Sequence, residues 1–299
     1  MKVIAPGKLL LAGAYAVLDG ASALVVAVDR HAVADGSRVA KSPTPEVLAA
    51  MRAEDAPEVD ASALREGSFK LGLGSSAAML VASLGVAAAR AGKDLLGPDV
   101  RAALFAEARK AHAAVQDGGS GVDVAASVYG GALEYSLSAG EGRMSVLNLP
   151  AGAVVSVFWC GAPAVTTGMR ARVDALRGRD PSVYTSRIDG IAAAATRVIA
   201  AARANDLPAF LGGERATAEA MVALGRDADA PIVPPGLLPL IPLAEADGAA
   251  FLPSGAGGGD VFVHVGAAPT SARFSAAATA AGMCRIPMTL DPHGVRPFP

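Results

Sequence analysis

Apolar positions fall into short runs and longer alanine-rich stretches, and the two periods sort the chain into strands and helices. Residues 1–5 and 9–14 read as short buried strands parted by Pro6-Gly7, with Lys8 the only charge in its apolar context. Residues 23–28 and 31–34 read as further strands of an N-terminal sheet. Residues 42–66 turn polar and proline-rich and read as a surface excursion with a short helix over 46–52. The pattern predicts helices over 75–91 and 98–114, the second opening on Pro98 and Asp99, which suit a first turn. A small-residue segment at 124–128 precedes Gly130-Gly131, a strand over 132–137 and a hairpin partner over 144–149.

The second half reads as a strand over 154–160, then helices over 166–177, 181–205, 208–224 and 237–247. It closes with strands over 249–252, 261–265 and 284–288, a loop over 253–260 and a helix over 271–281. A turn at 150–152 divides the chain into expected domains 1–150 and 151–299. The fold class is α/β (α+β), and two halves that each carry a glycine cluster place a site between them.

Composition narrows the function classes. A net charge of −2 and a pI near 6.1 argue against a general nucleic-acid binder. Cys160 and Cys284 cannot build a disulfide framework, which suits a reducing compartment. No apolar run of 18 or more residues is free of breakers and charges, so no membrane partner and a cytoplasmic location are expected.

The candidate chemistry centres on residues 70–79, K-L-G-L-G-S-S-A-A-M. Gly72 and Gly74 bracket Leu73, two hydroxyls follow at Ser75 and Ser76, and an apolar run from Ala77 continues as a helix. A glycine loop feeding a helix N-terminus suits an anion, because unpaired N–H groups and the dipole both point outward. The spacing matches neither the P-loop nor the dinucleotide fingerprint. Taken alone, a serine-capped helix after a glycine turn explains the stretch equally well. Three more stretches accompany it: A-P-G-K at 5–8, G-S-G-V-D at 119–123 and S-G-A-G-G-G-D at 254–260.

Together, in this order and over nearly the whole chain, these four stretches resemble the GHMP kinase superfamily, named for galactokinase, homoserine kinase, mevalonate kinase and phosphomevalonate kinase. Residues 5–20, residues 111–131 and a third motif ending at Asp260 are most similar to the phosphomevalonate kinase branch. Mevalonate kinases typically carry glutamate where His112 stands and a third motif that does not end in aspartate; diphosphomevalonate decarboxylases lack the lysine that Lys8 matches. Residues 161–170, a small-residue turn, two hydroxyls and a helix, also resemble that branch. Ala14 departs from the glutamate of many relatives.

The resemblance implies a two-domain fold: a mostly antiparallel N-terminal sheet with helices on one face and a left-handed βαβ unit, then a C-terminal α+β sandwich. It implies ATP as co-substrate, held by Lys70, Gly72, Leu73, Gly74, Ser75, Ser76 and Ala77, and Mg²⁺ on Ser75 or Ser76. A second metal ligand stays open; Glu107 is weighed and reads better as a structural helix carboxylate. Lys8 and Asp123 are the implied catalytic pair, although Asp123 also reads as a helix N-cap. The implied acceptor is 5-phosphomevalonate, phosphorylated to 5-diphosphomevalonate; its monoester, with a second pKa of about 6, needs no base and demands positive charge. Tyr15, His112, Ser120, Gly121, Arg170, Gly257, Gly258 and Asp260 are its expected contacts, with Arg172 a further candidate. Mevalonate kinase, another small-molecule kinase of the superfamily and a nucleotide-binding regulator without catalysis remain alternatives. The assembly is left between monomer and homodimer.

Overall fold

β1 (Lys2–Ala12) is the strand on which both halves of the chain converge. The sequence reads as two strands parted by Pro6-Gly7, and the chain instead runs through, with its register shifting between those two residues. Proline has no N–H for a ladder, and a bulge is where a sheet accommodates it. β2 (Ala23–Val39) likewise joins both expected strands and continues past Ala34. The computed structural model describes residues 1–116, 118–138, 140–161 and 166–298. Asp117 of the second glycine cluster and the expected turn at 162–165 lie outside the described residues.

The remaining elements follow in order: α1 (Pro45–Ala50), β3 (Pro57–Asp60), β4 (Arg65–Glu66), β5 (Phe69–Lys70), α2 (Ser75–Arg90), α3 (Pro98–Val115) and α4 (Val122–Tyr129). β6 (Ala132–Ser138) and β7 (Glu141–Leu147) complete the first half. The second comprises β8 (Val154–Trp159), α5 (Thr166–Arg179), α6 (Pro181–Arg203), α7 (Leu207–Asp227), α8 (Leu240–Ala246), β9 (Ala250–Pro253), β10 (Val261–Gly266), α9 (Ala272–Ala280), β11 (Cys284–Ile286) and β12 (Arg296–Pro297).

The first sheet runs β12-β1-β2-β6-β7, with β3 also paired to β2, and every pairing is antiparallel. α2 buries Leu80, Val81, Leu84 and Val86 against β1 and β2. A Cβ on Gly85 would lie 2.8 Å from a methyl of Val3, so this glycine sets how closely helix and sheet approach. The polar excursion contains more structure than its composition suggests. α1 ends early, at Ala50, after Thr44 caps it by accepting from the Val47 N–H at 3.4 Å, and β3 turns Pro57 inward.

The second sheet runs β11-β8-β10-β9, again antiparallel. Val157, Val261, Val263 and Val265 face the core shared with α6 and α7; Phe158, Phe251 and Phe262 point to the other side, where Phe274 of α9 meets them. Period-two alternation thus gives this sheet two buried faces between helical layers.

The end of the chain returns to the first sheet. β12 pairs with β1 at Ile4 and Arg296, and Asp291, 2% exposed, holds the return in place. Its Oδ2 lies 2.5 Å from Nε2 of His31 and 2.8 Å from an Arg296 nitrogen, while its Oδ1 accepts the N–H groups of His293 and Gly294. A two-residue strand has too few positions to show a period, so the sequence offers no signal for it.

Candidate active site

The glycine loop is set by its leucines and its φ angles. Leu71 and Leu73 are buried, and the Leu73 carbonyl accepts the Lys8 N–H at 2.9 Å, which fastens the loop to β1. A side chain at Gly7 would sit 2.8 Å from that carbonyl oxygen. Gly72 and Gly74 take φ of 70° and 73°, the left-handed region that glycine enters without strain. α2 then starts at Ser75 with Gly74 as its N-cap and no side chain capping it. The serine-capped reading is therefore replaced: neither hydroxyl caps its own helix, and the first-turn N–H groups are left for an external acceptor.

Gly74 also brings the expected catalytic pair together. A Cβ there would lie 3.2 Å from Cγ of Lys8 and 3.2 Å from Cβ of Asp123, so only hydrogen fits between them. Lys8 Nζ donates to the Gly72 carbonyl at 3.1 Å. Burial pulls the Lys8 ammonium below the ordinary lysine range, and the carboxylates of Asp123 and Asp260 oppose that pull. Asp123 is not the N-cap of α4; Gly121 is, with φ of 79°, and Asp123 stands in the first turn with Oδ1 accepting the Val124 N–H at 3.0 Å.

The third motif closes the site from the other half. The buried Ser254 hydroxyl accepts the Leu10 N–H at 3.0 Å, filling a ladder position where β1 shifts register again. A Cβ on Gly255 would lie 3.9 Å from Lys8 Nζ, and Asp260 packs directly over Gly72. Asp260 precedes β10 and holds φ of 55° while its carbonyl accepts the Cys160 N–H at 2.9 Å.

The result is a cleft of about 510 Å³. Of the residues expected from sequence it is lined by Lys8, Lys70, Gly72, Gly74, Ser75, Ser76, Asp123, Gly257 and Asp260. Leu73 and Ala77 lie beneath it, buried. Gly258 faces away: its N–H donates to the Ile232 carbonyl and a Cβ would strike Met169.

The other expected acceptor contacts are placed elsewhere. Tyr15 donates its hydroxyl to the Ala256 carbonyl at 2.7 Å, tying the first turn to the third motif, and burial pushes its pKa up with help from Asp174. Ser120 accepts from the Tyr135 hydroxyl through its carbonyl, and a Cβ on Gly121 would meet Arg109. Arg170 lies 4.0 Å from Asp174 and Arg172 lies 3.5 Å from Asp229. Glu107 borders a separate groove with Arg90 and Lys93, which removes it from the metal question. His112 is buried behind Ser76 and Asp123, with Nε2 3.2 Å from the Ser76 Oγ and 3.6 Å from the Asp123 Oδ2.

Sequence reasoning missed Phe69 and Gln116, which both line the cleft. Phe69 lies tilted against Trp159 across the two halves, with centroids 6.1 Å apart; an aromatic beside the glycine loop was the available signal. Gln116 donates to Glu46 Oε1 at 2.7 Å, a pairing that nothing local announces.

Oxygen donors border the cleft at Ser75, Ser76, Asp123 and Asp260, yet among the described residues no group of three or more His, Cys, Asp and Glu side chains could hold a metal ion. That donor set fits a hard cation which arrives on phosphate oxygens and keeps several waters, and does not fit a resident metal cage.

Comparison with known proteins follows the same lines. The family model for the GHMP kinases N-terminal domain matches residues 47–131. A phosphomevalonate kinase from a Streptomyces species is 30% identical, with 86% of this chain and 87% of that protein covered. Among solved structures, the Streptococcus pneumoniae phosphomevalonate kinase in complex with phosphomevalonate and AMPPNP aligns with a TM-score of 0.79 at 19% identity, covering 97% of this chain and 99% of that one. The L. major mevalonate kinase in complex with R-mevalonate aligns with a TM-score of 0.69 at 18% identity, covering 98% and 96%.

Proposed function

The chain belongs to the GHMP kinase family, and from that premise we propose that it transfers the γ-phosphoryl group of ATP to 5-phosphomevalonate, giving 5-diphosphomevalonate and ADP. The observation that carries the reading is the meeting of Lys8, Asp123 and the uncapped start of α2 around Gly74, inside a cleft roofed by the third motif. Phosphoryl transfer asks for alignment and charge neutralisation, and these residues supply both.

In this reading the first-turn N–H groups of α2 hold the nucleotide phosphates. An oxygen of the acceptor monoester attacks the γ-phosphorus, the bond from that phosphorus to the bridging oxygen breaks, and ADP leaves with the electron pair. The acceptor oxygen is already deprotonated at neutral pH, so no general base is needed. The Lys8 ammonium lies between two anions and offsets their repulsion; Asp123 keeps it oriented and charged. Lys70, exposed at the mouth of the cleft, adds positive charge for the incoming dianion. Mg²⁺ supplies charge neutralisation on the phosphates when bound, with Ser75 or Ser76 and the carboxylate oxygens as its protein donors.

Among the described residues no helix is long and apolar enough to cross a membrane, and Cys160 and Cys284 are both free thiols. A cytoplasmic enzyme working on pooled ATP agrees with both facts. ADP release from purified protein, followed with 5-phosphomevalonate, mevalonate, galactose and homoserine as acceptors, tests the reading. Turnover of 5-phosphomevalonate alone is expected. Turnover of mevalonate alone overturns the acceptor, and ATP binding without turnover of any acceptor overturns the enzyme.

A further inference from the structure

We propose that His112 is a positioning residue for the transfer step, acting from behind the cleft by holding Ser76 and Asp123 in register, and that it does not touch the acceptor phosphate. The inference rests on the reading that Lys8 and Asp123 form the catalytic pair. His112 is 6% exposed and absent from the lining of the cleft, whereas both of its neighbours line it. Its Nε2 lies 3.2 Å from the Ser76 Oγ and 3.6 Å from the Asp123 Oδ2, so one ring nitrogen faces one residue from the start of each helix that frames the phosphate site.

Its other nitrogen decides the tautomer. Nδ1 is buried and has no hydrogen-bond partner among the described residues, and a Cβ built on Gly119 would lie 4.0 Å from it. A proton on Nδ1 would be a buried N–H with no acceptor among the described residues, and the bare Nε2 would then turn its lone pair toward a carboxylate. The ring proton therefore belongs to Nε2, shared between the Ser76 hydroxyl and the Asp123 carboxylate. Asp123 is then held at both oxygens, Oδ1 by the Val124 N–H at 3.0 Å and Oδ2 by the imidazole. Ser76, accepting from the ring, keeps its own proton to donate into the cleft. At 3.6 Å the contact to Asp123 is longer than a hydrogen bond, and such catalytic contacts tighten when the site fills. Groups of this kind orient the residues that do the chemistry, and their loss appears in turnover more than in substrate binding.

The test compares His112→Leu, which keeps bulk without a donor, with His112→Gln, whose amide nitrogen reaches the Nε2 position, each alone and on an Asp123→Ala background. The expected result is a kcat at least tenfold lower for His112→Leu, with KM for ATP and for 5-phosphomevalonate within twofold. His112→Gln should return to within about threefold of the parent, and His112→Leu should add less than twofold to Asp123→Ala, because residues acting as a unit are not additive. Where His112→Leu does not fold, His112→Asn, whose donor falls short of Nε2, takes its place against His112→Gln. A raised 5-phosphomevalonate KM at constant kcat overturns the inference by putting His112 on the acceptor. Losses that multiply with Asp123→Ala, parental turnover in His112→Leu, or no rescue by glutamine overturn it as well. Parental turnover in Asp123→Ala alone instead sinks the catalytic pair itself, so the two failures are told apart.

Discussion

A methyl group built on Gly72 would lie 2.4 Å from Oδ2 of Asp260 and 2.6 Å from its Cβ. The glycine loop of the first half and the last residue of the third motif are therefore packed against each other with no spare volume. This contact closes the roof of the cleft onto its floor.

Gly72→Ala should separate them. The variant strains a backbone at φ of 70° and drives Asp260 outward, so the roof no longer seats. Initial-rate kinetics should show kcat/KM for ATP down at least tenfold, with a stability loss of about 1–3 kcal/mol in a thermal melt. Parental kinetics would mean that Asp260 is not needed where it stands.

Lys8→Ala should lower kcat by well over tenfold with the fold intact. Because burial lowers the Lys8 pKa, the rate should fall on an alkaline limb that begins below the ordinary lysine value near 10.5. Lys8→Arg, where active, should move that limb upward, since guanidinium does not titrate there. For stability the sign is opposite to that of the rate: the cost of the buried ammonium is fully present below the folded pKa and is relieved as pH rises from it toward the unfolded value, so stability increases where the rate falls. A limb that stays in place in Lys8→Arg would assign it to another group.

Ser254→Ala removes the hydroxyl that accepts the Leu10 N–H and leaves a buried donor without that partner. The expected cost is about 1–3 kcal/mol. The loss should appear both in the melting temperature and in a raised KM for ATP, because the same hydroxyl seats the third motif. An unchanged ATP KM would separate the ladder contact from the site.

Asp291→Ala tests the return of the chain end. Burial pushes the Asp291 carboxyl up, but hydrogen bonds from His31, Arg296 and the His293 N–H outweigh it and hold the group well below the usual carboxylate range. Its contribution is therefore present above about pH 4 and lost as pH falls from there. At neutral pH the variant should lose about 1–3 kcal/mol, since the His293 and Gly294 N–H groups and the half-buried His31 and Arg296 lose their shared acceptor, and its stability should change less than the parent's on acidification. Denaturant midpoints at pH 7 and below pH 4 check both parts.

What the sequence determined by itself is local. The glycines at 72 and 74 and the apolar run after Ser75 specify a loop and a helix start through φ freedom and period alone. The motif order carried the family, and with it Lys8 and Asp123 as partners. Only the tertiary structure decided which expected contacts share the cleft. Tyr15 was drawn to the Ala256 carbonyl, Arg170 and Arg172 to nearby carboxylates, and His112 to a place behind Ser76 and Asp123. β12 and the Gln116–Glu46 pair also formed only in the fold. The reason is physical: a period reports which side of an element is buried, but a polar side chain pairs with whatever the packing of distant segments brings within about 3 Å of it.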